Sequence, residues 1–175
     1  MEYTIEYRKA ADSEYTQILE LAKKYSYNNL LNKEGGFVIN PLEEKYLKDT
    51  YVAIQEGKVL GMVSVRELSD ADYDFFDVSR NEICRMIDKL VVEEDYRGQG
   101  IASNLLQYVV GKYLNNTLYA GVMCSPYKHD KAAFVCQNIG FEKYFEKELQ
   151  NAEIGQLVSW ALLKKQKNNW ESKNE

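Results

Sequence analysis

The stretch Leu90-Val91-Val92-Glu93-Glu94-Asp95-Tyr96-Arg97-Gly98-Gln99-Gly100-Ile101-Ala102 constrains this chain more than any other. An apolar run ends in a short acidic turn, a loop with two glycines follows, and apolar residues at helical spacing then begin. Strand, glycine loop and helix start, in that order, form a device for holding phosphate. The first N–H groups of a helix have no partner inside it, and the helix dipole favours an anion there. Gly98 and Gly100 lack a Cβ, so the backbone can approach a pyrophosphate closely and take φ values that other residues avoid.

The rest of the chain reads as one domain around that loop. At 175 residues it can bury a sizeable core, and 45% hydrophobic with 28% charged residues is a globular composition. The net charge of −5 argues against nucleic acid as a partner, which needs a basic face. Cys84, Cys124 and Cys136 form no CxxC pair and there is one His, so no zinc site is expected. Three widely spaced cysteines suit a reducing compartment. No signal-peptide core opens the sequence, and no apolar run nears the roughly 20 residues of a membrane span. A cytoplasmic protein is expected.

Alternation marks a strand at 3–7, and Asp12 or Ser13 can cap a helix with Tyr15, Ile18, Leu19, Ala22 and Tyr25 on one face. Residues 26–40 break the pattern with asparagines and Gly35-Gly36, and Pro41 suits the start of a short helix over 42–47. A hairpin runs through 51–54 and 59–65 with Glu56-Gly57 at its tip. Residues 69–80 read as an acidic connection holding Asp70, Asp72, Asp74 and Asp77 among aromatic rings. A central strand over 83–92 enters the glycine loop, a helix follows over 101–114, and a strand over 118–124 comes next. A short helix over 130–138 ends at Gly140, and 141–149 pairs with 156–163 in antiparallel fashion. The expectation is a single α+β domain over 1–163, with a polar tail over 164–175 that is frayed or disordered.

Two motifs now coincide. Arg97-Gly98-Gln99-Gly100-Ile101-Ala102 resembles the R/Q-x-x-G-x-G/A signature of the GNAT N-acetyltransferase superfamily, and it follows a strand ending Leu90-Val91-Val92, as in that family. Some forty residues on, 132–141 is similar to the family's second cofactor helix, which ends in Gly-Phe, here Gly140-Phe141. A dinucleotide-binding reading fails, because the third glycine is missing and the loop comes late in the chain. The resemblance implies a mixed, mostly antiparallel sheet of about seven strands flanked by about four helices. Two splayed central strands would form the cofactor cleft.

The same resemblance implies acetyl transfer from acetyl-CoA to a primary amine by direct attack, with no metal and with a homodimer as one possible assembly. Leu90, Val91 and Val92 would run beside the pantetheine arm, and the N–H groups of Gly98, Gln99, Gly100, Ile101, Ala102 and Ser103 would hold the pyrophosphate, with Arg97 lending charge. His129, Ala132 and Phe134 would touch the cofactor from the second helix; for His129 a solvent-facing loop position is the alternative. A backbone N–H near Val92 would stabilise charge on the thioester oxygen.

Asp88, expected on the face of Met86, Leu90 and Val92, is the first candidate for the base, and Glu82 the second. An ion pair between Asp88 and Lys89, Arg85 or a cross-strand cation is the competing reading. The Tyr that the family uses as general acid falls at Cys136, so Tyr127, Tyr144 or Cys136 is left to serve, with Cys136 also explicable as packing. The acceptor pocket would be built from 25–41 and 69–80, whose rings and carboxylates suit a small cationic amine. Acetylation of protein N-termini or lysines is the alternative, and a non-catalytic acyl-CoA sensor or scaffold is the other.

Overall fold

A computed structural model describes residues 3–24, 30–31, 44–125, 131–151 and 157–167. In chain order its strands are β1 (Glu6–Lys9), β2 (Leu30–Leu31), β3 (Thr50–Gln55), β4 (Lys58–Arg66), β5 (Cys84–Val92), β6 (Thr117–Ser125), β7 (Glu142–Asn151) and β8 (Leu157–Lys165). The helices are α1 (Tyr15–Lys24), α2 (Asp70–Phe76), α3 (Ile101–Lys112) and α4 (Lys131–Asn138). One sheet holds all eight strands in the order β1-β3-β4-β5-β6-β8-β7-β2. The seven strands expected from the sequence are present, and the two-residue β2 adds an edge. Among the described residues only β5 and β6 run parallel, with α3 carrying the chain between them.

Period-two alternation sends side chains to two covered faces. On one face α3 lays Ile101, Leu105, Leu106 and Val109 against Tyr51, Ala53, Val63, Ile87 and Val92, and Cys136 of α4 joins them. On the other, Ile18, Leu21 and Ala22 of α1 meet Val52, Met62 and Val91, while Phe75 and Phe76 of α2 meet Met86 and Tyr119 in a separate cluster. Each Val, Leu, Ile, Phe or Met side chain among them, fully buried, contributes about 1.5–3 kcal/mol. Gly61 of β4 allows α3 to come this close. A Cβ there would stand 3.1 Å from Ile101 Cγ2 and from the Val91 carbonyl oxygen.

The structure changes four expectations. Residues 69–80 hold a helix rather than an open connection. Ser69 caps α2 by accepting the Asp72 N–H, and the Asp72 carboxylate reaches back to the Ser69 N–H, a reciprocal box that outweighs the poor helix propensity of three aspartates. The short helix expected over 42–47 is described from Glu44 as a 3-10 helix, Glu44–Asp49. Lys164 and Lys165 belong to β8, so the polar tail begins later than residue 164.

The fourth change concerns the central strand. Val65 pairs with Ile87 and Ser64 with Lys89, so Asp88 is an extra residue in β5, a bulge that reverses which face alternate residues take. Asp88 therefore shares the α1/α2 face with Met86, and not with Leu90 and Val92, which pack toward α3.

Candidate active site

The bulge coincides with the opening of a fork. β5 pairs with β6 only through Cys84↔Thr117 to Ile87↔Ala120; beyond that β5 continues to Val92 and β6 to Ser125 without pairing to each other. Glu93 donates its N–H to the Leu60 carbonyl at 2.8 Å, on the β4 side. Backbone groups alternate along a strand, so Val92 and Leu90 turn their N–H groups toward the fork. The Val92 carbonyl faces the same way and accepts Arg97 Nε at 3.0 Å. Arg97 is thus folded back along the strand end that it follows.

The glycine loop closes the open end. After a 3-10 turn, Glu94–Tyr96, Gly98 and Gly100 take φ of +77° and +79°, the left-handed region that glycine tolerates best. At both positions the space a Cβ would occupy has nothing within 4 Å. The first α3 bond runs from Asn104 N–H to Gly100, leaving the N–H groups of Gly100, Ile101, Ala102 and Ser103 directed out of the helix start. An open concave loop, a helix terminus and an unpaired strand edge are therefore contiguous, and they fit an anion attached to an extended amide-bearing arm. Lys24 at the end of α1 pairs with Glu93 at 2.6 Å, tying the first helix to this loop.

On the α1/α2 face, a polar cluster separates the apolar contacts of α1 from those of α2. Arg66 donates Nε to Asp88 Oδ1 at 2.8 Å, and its two terminal nitrogens both hold the Asp72 carboxylate. Asp72 also accepts the Ser69 N–H and hydroxyl, at 2.8 and 2.9 Å. Burial alone would push the Asp72 carboxyl up, but Arg66 and Ser69 outweigh it and hold the group below its ordinary value. Lys89 lies beside Asp88 with Nζ 4.0 Å from Oδ2, and its N–H donates to the buried Ser64 hydroxyl at 3.1 Å. Burial lowers the Lys89 pKa, with Asp88 opposing and Arg66 assisting.

The expected residues separate into groups. Leu90 and Val92 border the fork, Asp88 sits at the bulge where it opens, Val91 packs toward α1, and the loop from Arg97 to Ser103 leads from the strand end into α3. Glu82 lies near the closed end, 3.5 Å from the Tyr119 hydroxyl and 3.7 Å from Lys164 Nζ. It is six residue steps from Asp88, up to roughly 20 Å along an extended chain. Tyr144 is also at that end, edge-on to the Tyr119 ring and donating to the Asp77 carbonyl at 3.3 Å. Cys136 is 2% exposed within the α3/α4 core, while Phe134 is exposed on the surface of α4 and Ala132 lies in its first turn. Tyr127 and His129 lie outside the described residues. Among the described residues, no three His, Cys, Asp or Glu side chains gather as a metal-ligand set.

Arg66 and Lys89 are not among the expected site residues, and Asp72 is expected only as one carboxylate of the acceptor segment. The spacing Ser69-x-x-Asp72 is a capping-box signal that would have revealed α2. Nothing local points to Arg66. Three of the four aspartates in the acidic segment are paired: Asp72 with Arg66, and Asp70 and Asp74 with Arg80. These are the carboxylates on which a cationic acceptor was expected.

The family model of the acetyltransferase (GNAT) domain matches residues 47–143, which span the hairpin, fork, glycine loop and α4. No curated protein sequence matches the chain. Among solved structures, it is similar to yncA from Salmonella typhimurium with its cofactor acetyl-CoA, at 13% identity and TM-score 0.69, covering 96% of each chain. It is similar to a phosphinothricin acetyltransferase from Sinorhizobium meliloti in complex with AcCoA, at 17% identity and TM-score 0.66, covering 93% of this chain and 88% of that one. A ribosomal-protein-alanine N-acetyltransferase from Brucella melitensis shares 16% identity with TM-score 0.67, over 91% and 98%. At these identities the likeness is one of fold. The chain belongs to the GNAT acetyltransferase family, whose reaction is acyl-CoA-dependent N-acetyl transfer.

Proposed function

We propose that this protein transfers the acetyl group of acetyl-CoA to a primary amine on a small molecule, by direct attack at the fork. The observation that carries the reading is the meeting of three features: the open glycine loop, the β5 edge beyond Ile87, and the recessed Asp88 carboxylate at the bulge. The N–H groups at the start of α3 bind the pyrophosphate, and the edge of Leu90 and Val92 offers strand-like partners to the pantetheine amides. The Val92 N–H stabilises negative charge on the thioester oxygen. The acceptor nitrogen forms a bond to the carbonyl carbon as the carbon–sulfur bond breaks, and Asp88 takes the nitrogen's proton.

CoA leaves as a thiolate and is reprotonated. Tyr127, two residues beyond β6 in the chain, carries that assignment, since Cys136 is sealed in the core and Tyr144 sits at the closed end of the fork. The recessed carboxylate favours a slender acceptor over a protein surface, although a protruding N-terminus or lysine side chain is the second reading. The reaction is assigned to the cytoplasm, in keeping with three cysteines that lack a pairing pattern.

Thermal shift with CoA and acetyl-CoA, followed by thiol release on an amine panel, tests this. Asp88→Asn is expected to keep the CoA shift and to lose roughly 10²- to 10⁴-fold in turnover. An unchanged rate moves the base elsewhere. Binding without release on any amine makes the protein a holder of acyl-CoA rather than an enzyme.

A further inference from the structure

Two cations and two carboxylates make up the cluster at the bulge, and their pairing is uneven. Both Asp72 oxygens are taken by Arg66, and Arg66 spends Nε on Asp88 Oδ1. What remains is Asp88 Oδ2 and the Lys89 ammonium, 4.0 Å apart. The Lys89 side chain is 10% exposed, and its ammonium pairs with that oxygen at the long limit of an ion pair, with donors left for a further acceptor. A partly buried ammonium held this loosely gains from a second anionic partner.

We infer that the acceptor is a zwitterion of the α-amino-acid type, with its amine at Asp88 Oδ2 and its carboxylate at Lys89 Nζ. This rests on the acetyltransferase reading and on Asp88 as its base. A carboxylate and an ammonium 4.0 Å apart present opposite charges at a spacing comparable to that between the amine and carboxylate of one amino acid. The four groups close into a ring of alternating charge. The cluster is neutral before binding, and a zwitterion keeps it so. A purely cationic amine would bring a second positive charge against the Lys89 ammonium, and a purely anionic acceptor would face Asp88, each leaving a like-charge contact in a partly buried site. Lys89 is thus an acceptor-binding residue that selects for a carboxylate next to the reacting nitrogen.

The test compares free α-amino acids with their amides and with the matching decarboxylated amines, in thiol release by the full chain. The wild type is expected to prefer the free acids by roughly 10- to 100-fold in kcat/KM, the range of one charged hydrogen bond. In Lys89→Met that preference collapses, chiefly through KM for the acids, while Lys89→Arg restores most of it. Thermal shift with CoA reports whether each variant is folded. Equal use of acids and amides by the wild type overturns the inference and leaves the acetyltransferase reading standing. So does a preference for acids that Lys89→Met leaves intact. Absence of thiol release on every amine overturns both.

Discussion

Arg66 and Asp88 meet across the β4–β5 pair at the bulge, Nε to Oδ1 at 2.8 Å, just where β5 parts from β6. The same guanidinium anchors Asp72 at the start of α2. One arginine therefore links the central strand, its neighbour and a helix around the carboxylate assigned as the base. The extra residue turns Asp88 away from the α3 face, and Arg66 fixes where its carboxylate points.

Replacing Arg66 by Met leaves two carboxylates, one of them 1% exposed, without their shared cation. Breaking a buried pair from one side costs about 3–5 kcal/mol. Urea unfolding should show a loss of that size, and a loss under about 1 kcal/mol would mean that the network contributes little.

Acid should act on the same network. Asp72 is held below its ordinary value, as is Glu14, chiefly by the Arg8 hydrogen bond. A carboxyl whose folded pKa is depressed contributes stability that is full above its unfolded value, near 4, and is lost as pH falls through the folded value. Unfolding midpoints should be nearly flat from about pH 7 to 5 and drop below about pH 4. The drop should be shallower in Arg66→Met, and an equal drop would place the titrating groups elsewhere.

Gly100→Ala introduces a side chain at φ +79°, a conformation costing roughly 1 kcal/mol for an L-residue. Its Cβ would project into space that is open now. Calorimetric titration should show CoA binding weakened by about tenfold, equivalent to one lost charge-assisted backbone bond. Undiminished affinity would remove the loop from the phosphate site.

At Gly61 the argument is contact rather than conformation. An added methyl meets Leu105 Cδ1 at 3.2 Å and the Val91 carbonyl oxygen at 3.1 Å, and backbone cannot rotate aside. Gly61→Ala should cost about 1–3 kcal/mol by overpacking and displace the start of α3, so thermal stability and CoA affinity should fall together. Loss of neither would show that α3 can slide freely over β4.

Much of the fold was legible because its signals are local. The strand, turn and glycine loop of 90–102 lie within one short stretch, and the apolar stripe of α3 and the alternation of β3 and β4 need only neighbouring residues to be read. The acidic run at α2 misled for a related reason. Composition suggested a loop, while the deciding feature was a reciprocal cap that holds the helix against buried Phe75 and Phe76.

The sequence by itself determined the glycine loop, the strand before it and the family to which both belong. Tertiary structure alone decided which way Asp88 points and what surrounds it. A bulge exists only when one strand's register is set against its neighbour, so no period-two pattern could say that Asp88 faces α2 while Leu90 faces α3. Arg66, Asp72 and Asp88 come from three separate elements, and their charges become a site only when folding excludes water from between them.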